Sequence, residues 1–229
     1  MLNTFSSDIR LAVFDLDGTL VNTITDLGSS VSYALEKLGF PKRTMEEYTH
    51  FVGNGTLKLV QRSVPEEFKG DEAVVARAHS LFKDYYAEHF CDTSRVYSGM
   101  LEALEELKSQ GIKLSVLTNK PDEFAVKIMD RLFPKGMFCH VQGAKDGVPK
   151  KPDPTAELEI MRLLGEDPSH TVHIGDSDVD VFTAHNAGIG CIGCSWGFRS
   201  RESLVEAGAE AIADKPVELP EIIAKGFGG

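Results

Sequence analysis

Positive charge is scarce in this chain. Lys and Arg number 24 against 35 Asp and Glu, giving a formal net charge of −11 at pH 7 and a pI near 5.1. An acidic surface repels a phosphate backbone, so no nucleic-acid partner is expected. A small anion stays open as a ligand if a local site overrides the global sign. Long apolar runs are also missing, which excludes a membrane-spanning helix. Met1 to Asp8 holds no basic stretch followed by an apolar one, so no secretory leader is expected. Cysteine is sparse, at 91, 139, 191 and 194, and only the last two are close. Thiols in apolar surroundings of a chain without an export signal predict a cytoplasmic protein with reduced cysteines. The seven histidines are scattered without metal-ligand spacing, and there is no internal repeat or low-complexity segment. Of the 229 residues, 42% are apolar and 26% charged, which excludes a wholly disordered chain. That length suits one large domain, or a core carrying a smaller insert.

The pattern along the chain favours the second option. Ile9 to Phe14 is β-rich, ends abruptly at Asp15 and reads as a buried strand. From about 22 to 91 the periodicity is helical, with no convincing strand. Val21, Ile24, Leu27, Val31, Ala34, Leu35 and Leu38 share one helix face, and Gly39 stops that helix. Val74, Val75, Ala78, Leu81, Phe82 and Tyr85 mark a second helix, and a shorter one follows Gly53-Asn54-Gly55. After residue 96 strands and helices alternate. Strands are predicted at 112–117, near 138–141, at 171–174 and at 189–194, with helices at about 101–107, 121–133, 154–164 and 178–187. This alternation predicts βαβ units: an α/β fold with a Rossmann-like parallel sheet. The helical stretch then reads as an inserted domain at 21–95, with the core formed by 1–20 and 96–229.

Polar clusters sit where the strands end. They are Asp15-Leu-Asp17-Gly18-Thr19, Thr118-Asn119-Lys120, Lys150-Lys151-Pro152 before a helix, and Gly175-Asp176-Ser177-Asp178-Val179-Asp180. Ligands of open parallel sheets bind at the carboxyl ends of strands where the strand order reverses, so the four clusters are expected to converge. Several carboxylates in one cleft repel each other, and a divalent cation removes the conflict. Oxygen ligands without a His–Cys cluster favour Mg²⁺ over Zn²⁺. With one lysine and a threonine hydroxyl, the pocket suits a phosphoryl group. One carboxylate can then serve as nucleophile. The other, two residues on and pointing the same way from the strand end, can serve as general acid and base.

These four clusters, in this order and spacing, resemble the motifs of the haloacid dehalogenase-like phosphatases. The resemblance covers essentially the whole chain, and the helical insert is similar to that family's helical cap. Asn22-Thr23, Val52-Gly-Asn-Gly55 and Thr118-Asn-Lys-Pro121 resemble its phosphoglycolate phosphatase-like group. The resemblance implies that Asp15 is the nucleophile and that Asp17 protonates the leaving alcohol and then activates water. It implies Mg²⁺ held by Asp15, the main-chain carbonyl of Asp17, and Asp176, with Asp180 a direct or water-bridged partner. Thr118, Asn119 and Lys151 are implied phosphate binders. Lys151 rather than Lys150 matches the family's Lys-Pro pair, and Asp178 reads as a helix N-terminal charge.

A small phosphorylated metabolite is the expected substrate, phosphoglycolate the best single choice, and the protein is expected to be a monomer or homodimer. Gly53, Asn54 and Gly55 precede a helix and are candidates for reading a carboxylate on the substrate. A sugar-phosphate mutase of the β-phosphoglucomutase kind, a pyrophosphatase or a nucleotidase is the alternative. Thr19, where such mutases carry Val, favours hydrolysis. A non-catalytic phospho-receiver is shorter and has no helical insert. Two patterns are decoys. Gly188 to Gly193 spells a dinucleotide fingerprint but follows a helix and runs into a strand, and Cys191 and Cys194 lie on that strand without a second ligand pair.

Overall fold

The apolar run after Arg10 becomes strand β1 (Leu11–Phe14) in the computed structural model of the chain, which describes residues 8–226. Leu11, Ala12, Val13 and Phe14 are all fully buried. Ala12 and Phe14 join one apolar cluster, and Leu11 and Val13 join another. A strand that alternates its side chains between two faces, both apolar, must be covered by helices on both sides.

β1 lies between β4 (Lys113–Pro121) and β6 (Thr171–Gly175), with β5 (His140–Ala144), β7 (Gly190–Cys194) and β8 (Ala211–Ala213) outside them. The order is β5-β4-β1-β6-β7-β8 and every pair is parallel. The helices of this layer are α5 (Met100–Ser109), α6 (Asp122–Leu132), α7 (Thr155–Leu164), α8 (Asp178–Ala187), α9 (Arg201–Ala207) and α10 (Leu219–Lys225). Strand order reverses at β1, so a crevice opens at the carboxyl ends of β1, β4 and β6.

The segment between β1 and α5 has its own apolar cluster. It is built from Leu27, Val31, Ala34 and Leu35 of α1 (Ile24–Lys37), Tyr48 of α2 (Met45–Phe51), Leu59 and Val60 of α3 (Thr56–Ser63), and Val75, Ala78, Phe82 and Tyr86 of α4 (Glu72–His89). The helical spacing of these residues is what the chain needs to bury one stripe of each helix. A short antiparallel ribbon, β2 (Val21–Asn22) with β3 (Arg95–Val96), joins this helical layer to the sheet. No helix among the described residues is long and apolar enough to cross a membrane.

The structure differs from the periodicity at several places. Val21 lies in β2, outside the helix, because it pairs with Val96 across the ribbon. β4 runs on to Pro121 through a register irregularity after Leu117, which carries the polar cluster at its end into the sheet. β5 starts at His140 and ends at Ala144, later than its apolar residues suggest. Helix α2, with only seven residues, escaped the periodicity, although Thr44 and Glu47 form a full capping box at its start. α9, β8 and α10 are too short to give a periodic signal.

Asp26 fastens the ribbon to the helical layer. It is buried in α1 and accepts hydrogen bonds from the backbone N–H and hydroxyl of Thr93 (3.0 and 2.6 Å) and of Ser94 (2.8 and 2.6 Å). Burial pushes its carboxyl up, but the hydrogen bonds from Ser94 and Thr93 outweigh it and hold the group below its ordinary value. A carboxylate with a depressed folded pKa contributes stability that is fully present above its unfolded pKa and is lost as pH falls through the folded one. Asp26→Ala is therefore expected to destabilise the protein by about 2–4 kcal/mol at pH 7, since several buried donors lose a charged acceptor. The deficit should shrink as the pH falls below about 4. Chemical denaturation at neutral and acid pH checks this, and an unchanged midpoint at pH 7 contradicts it.

Candidate active site

The end of β1 delivers Asp15 into the crevice, and Asp17 follows. Gly18 then turns the chain with φ +92°, and a Cβ there would lie 2.2 Å from Oδ2 of Asp176, so the backbone passes where no side chain fits. β4 supplies Thr118, Asn119 and Lys120. The loop before α7 supplies Lys151, the residue after β6 is Asp176, and the first turn of α8 holds Asp180. All eight line one cavity of about 560 Å³, open solvent at its mouth included. Val52, Gly53, Gly55, Thr56 and Leu59 of the helical layer form its opposite wall.

Charge in the crevice is dense and mostly negative. Nζ of Lys151 lies 2.9 Å from Oδ1 of Asp15 and 2.6 Å from Oδ1 of Asp180. Burial would discharge this ammonium, but Asp15 and Asp180 overcome that and hold it well above its usual range. Asp15 is pushed up by burial despite Lys151. Asp176 is pushed up furthest, by burial and then by repulsion from Asp180 and Asp15. Asp180 moves the other way: burial opposes the charge, and Lys151 with His173 more than compensate. Carboxylate oxygens of Asp15, Asp176 and Asp180 all lie within 4.8 Å of one another. Three buried carboxylates faced by one lysine are an all-oxygen donor set with unbalanced negative charge, which fits a hard divalent cation.

Most of the residues singled out in the sequence meet here. Asp15, Asp17, Thr118, Asn119, Lys151, Asp176, Asp180, Gly53 and Gly55 share the cavity. Lys151 is buried and Lys150 exposed, and Asp178 opens α8. The side chain of Asn54 turns to Arg62, whose Nη2 donates to Oδ1 at 2.8 Å. The side chain of Asn119 is committed as well. It donates to the carbonyls of Gly53 and Lys151, both at 3.0 Å, and so ties the helical layer to the Lys151 loop.

Several groups had no clear signal in the sequence. Lys120 ends the Thr118-Asn119-Lys120 cluster, but its partner is 103 positions away: Nζ lies 2.8 and 2.9 Å from the two oxygens of Asp17. The hydroxyl of Thr23 donates to Oδ1 of Asp17 at 2.6 Å. The loop after β7 carries Phe198, whose N–H donates to Oδ2 of Asp176 at 2.7 Å. Its neighbour Arg199 donates to the carbonyls of Thr49, His50 and Val52 at the end of α2. One loop thus touches both a site carboxylate and the helical layer. Behind Asp180, His173 bridges to Glu157 (3.0 Å) and Asp180 (3.3 Å), all three fully or almost fully buried. The imidazole loses charge stability by burial and regains more from Glu157 and Asp180, which hold its pKa near 9.

Comparison with known proteins agrees with this geometry. Residues 12–194 match the haloacid dehalogenase-like hydrolase family. A Pseudomonas putida protein named phosphoglycolate phosphatase is 36% identical over 192 residues, covering 82% of this chain and 70% of its own. A Vibrio parahaemolyticus protein of the same name is 33% identical and covers 95% of this chain and 97% of its own. The crystal structure of a candidate phosphoglycolate phosphatase from Lactobacillus delbrueckii subsp. bulgaricus superposes with a TM-score of 0.88 at 33% identity, covering 94% of this chain and 98% of that one. The chain belongs to the haloacid dehalogenase-like hydrolase family. Within it, these relatives make it a phosphatase of the phosphoglycolate phosphatase-like group.

Proposed function

We propose that the chain hydrolyses 2-phosphoglycolate in the cytoplasm, with residues 21–95 acting as a cap over the core crevice. The convergence of Asp15, Asp17, Thr118, Lys151 and Asp176 on one cavity supports the phosphoryl chemistry. The names of the relatives support the substrate. The free thiols of all four cysteines suit a reducing compartment.

In this reading a carboxylate oxygen of Asp15 attacks phosphorus and the ester oxygen departs with a proton from Asp17. The resulting aspartyl-phosphate is hydrolysed by a water that gives its proton back to Asp17, releasing phosphate and freeing Asp15. The ammonium of Lys151, the hydroxyl of Thr118 and main-chain amides near Asp17 and Asn119 take the phosphoryl oxygens. Mg²⁺ would be held by Asp15, the main-chain carbonyl of Asp17, and Asp176, and it would neutralise charge on the transferring group. Both oxygens of Asp180 are already engaged, Oδ1 by Lys151 and His173 and Oδ2 by the N–H and hydroxyl of Ser177. That favours a water-bridged place for Asp180 and a role in holding Lys151.

The start of α3, with Gly55 and Thr56 on the cavity wall, offers N–H groups to the carboxylate of the substrate. Phosphate release should require Mg²⁺, and Ca²⁺ should inhibit, because it accepts more ligands at longer distances and so permits Asp15 to bind it through both oxygens. Ethyl phosphate carries a methyl group where 2-phosphoglycolate carries its carboxylate. Its kcat/KM is expected to be lower by about tenfold or more, the scale on which a site built for a polar group rejects an analogue without it. Equal values for the two esters remove phosphoglycolate as the substrate, and full activity in chelator removes the metal.

A further inference from the structure

The carboxylate of Asp17 is held by more than its position in the chain. Oδ1 receives two donors, the hydroxyl of Thr23 at 2.6 Å and Nζ of Lys120 at 2.8 Å. Oδ2 receives one, the same Nζ at 2.9 Å. Oδ1 therefore accepts two hydrogen bonds and Oδ2 one, which leaves Oδ2 the greater unused acceptor capacity in a residue that lines the cavity. Lys120 itself is almost wholly buried and has little freedom to leave. Its ammonium stands 5.3 Å from the ring centroid of Tyr86, a distance suited to a cation–π contact. Tyr86 belongs to α4 of the helical layer, is fully buried, and packs edge-on against Phe124 of α6, with ring centroids 4.9 Å apart. The chain of contact therefore runs from the helical layer through Tyr86 and Lys120 to Asp17.

We infer that Lys120 is a positioning residue for Asp17: seated on the ring of Tyr86, it fixes the carboxylate so that Oδ2 is the oxygen that exchanges a proton with the leaving group and then with water. The inference rests on the proposed acid–base role of Asp17. The placement of the acid depends on a side chain of the helical layer, so the layer contributes to proton transfer as well as to the cavity wall. A lysine that served mainly to bind the phosphoryl group would not need both oxygens of Asp17, and Lys151 already supplies a cation beside Asp15.

The leaving group provides the test. An alkyl phosphate such as 2-phosphoglycolate needs its ester oxygen protonated, whereas p-nitrophenyl phosphate departs with little help. Lys120→Met should lower kcat for the alkyl ester by about tenfold or more, because small misplacements of a reacting group are costly, and lower it much less for the aryl ester. Tyr86→Leu should give the same asymmetry in weaker form, and Tyr86→Phe, which keeps the ring, should retain the wild-type ratio. Circular dichroism of each variant separates loss of fold from loss of placement. Asp17→Asn is the reference. If it shows the leaving-group asymmetry and Lys120→Met does not, the role of Lys120 is overturned and that of Asp17 stands. If Asp17→Asn lacks the asymmetry, the acid–base assignment falls and this inference falls with it. Equal losses on both esters in Lys120→Met, or a changed ratio in Tyr86→Phe, also overturn it.

Discussion

Asp15→Asn is expected to abolish turnover, by at least about 10⁴-fold, while the protein still folds. Asp15 is the residue that immediately follows β1, a fully buried strand of the sheet, and its Oδ1 is 2.9 Å from Nζ of Lys151. An amide there keeps the shape but has no nucleophilic charge and is a poor metal ligand, so both covalent attack and charge stabilisation are lost together. Effects of residues that act as a unit do not add, and for that reason the loss should approach that of the uncatalysed site. The fold should survive. Lys151 retains Asp180 as a partner at 2.6 Å, and the substitution removes one of three mutually repelling carboxylates. Phosphate release under saturating substrate and far-ultraviolet circular dichroism check the two halves of this expectation. Near-normal turnover in a folded variant would sink the aspartyl-phosphate route.

How much of this site was legible in the sequence depends on the range over which each part is encoded. Asp15 and Asp17 announce themselves because they end an apolar run that can only be a buried strand. Asp176 and Asp180 do so for the same reason after Thr171 to Ile174. Parallel-sheet geometry then brings such strand ends together without any further information. Lys120, Tyr86 and Thr23 are different. Thr23 and Lys120 bind Asp17 and Tyr86 backs Lys120, but they come from the loop after β2, β4 and α4, and no local pattern relates them.

The same holds for the loop after β7. Trp196 donates to the carbonyl of Thr19 at 3.0 Å, 177 positions away, and Phe198 and Arg199 reach Asp176 and α2. Helical periodicity located three of the four helices of the inserted layer, since each buries a stripe. It passed over α2, whose seven residues contribute one buried side chain, Tyr48. It also placed Val21 on a helix, because an apolar residue three positions before Ile24 satisfies a helical stripe as well as a strand pair. The partner of the Asn54 side chain was hidden for a related cause. A Gly-Asn-Gly stretch before a helix looks like an anion cradle, and only the tertiary contact with Arg62 shows where the amide goes.

Asp176→Asn is expected to move stability and activity in opposite directions. The carboxyl of Asp176 is buried and raised well above its ordinary value, first by desolvation and then by Asp180 and Asp15. A carboxylate with a raised folded pKa costs stability at neutral pH, and that cost fades as the pH falls and the group takes up a proton. The metal-free protein is therefore under electrostatic strain that an amide relieves. The amide also fits the existing contacts. Its oxygen can accept from the N–H of Phe198, as Oδ2 does at 2.7 Å, and its NH₂ can donate toward the hydroxyl of Thr19, which lies 3.4 Å from Oδ1. Without divalent cation the variant should melt higher at pH 7 by a few degrees, which for a chain of this size corresponds to about 1–2 kcal/mol. The gain should shrink as the pH falls and vanish below about 4, the ordinary value of an Asp carboxyl in the unfolded chain. With Mg²⁺ the order should reverse, because ligand binding to the folded state stabilises only the protein that retains the site. Turnover should fall by about 10²-fold or more, as expected when a ligand of the catalytic metal is lost. Thermal melts with and without Mg²⁺ at two pH values, beside a turnover assay, test all of this. A variant less stable than wild type in chelator at pH 7, or one whose melting point Mg²⁺ raises as much as that of wild type, would mean that Asp176 is not the metal-holding carboxylate of the crevice.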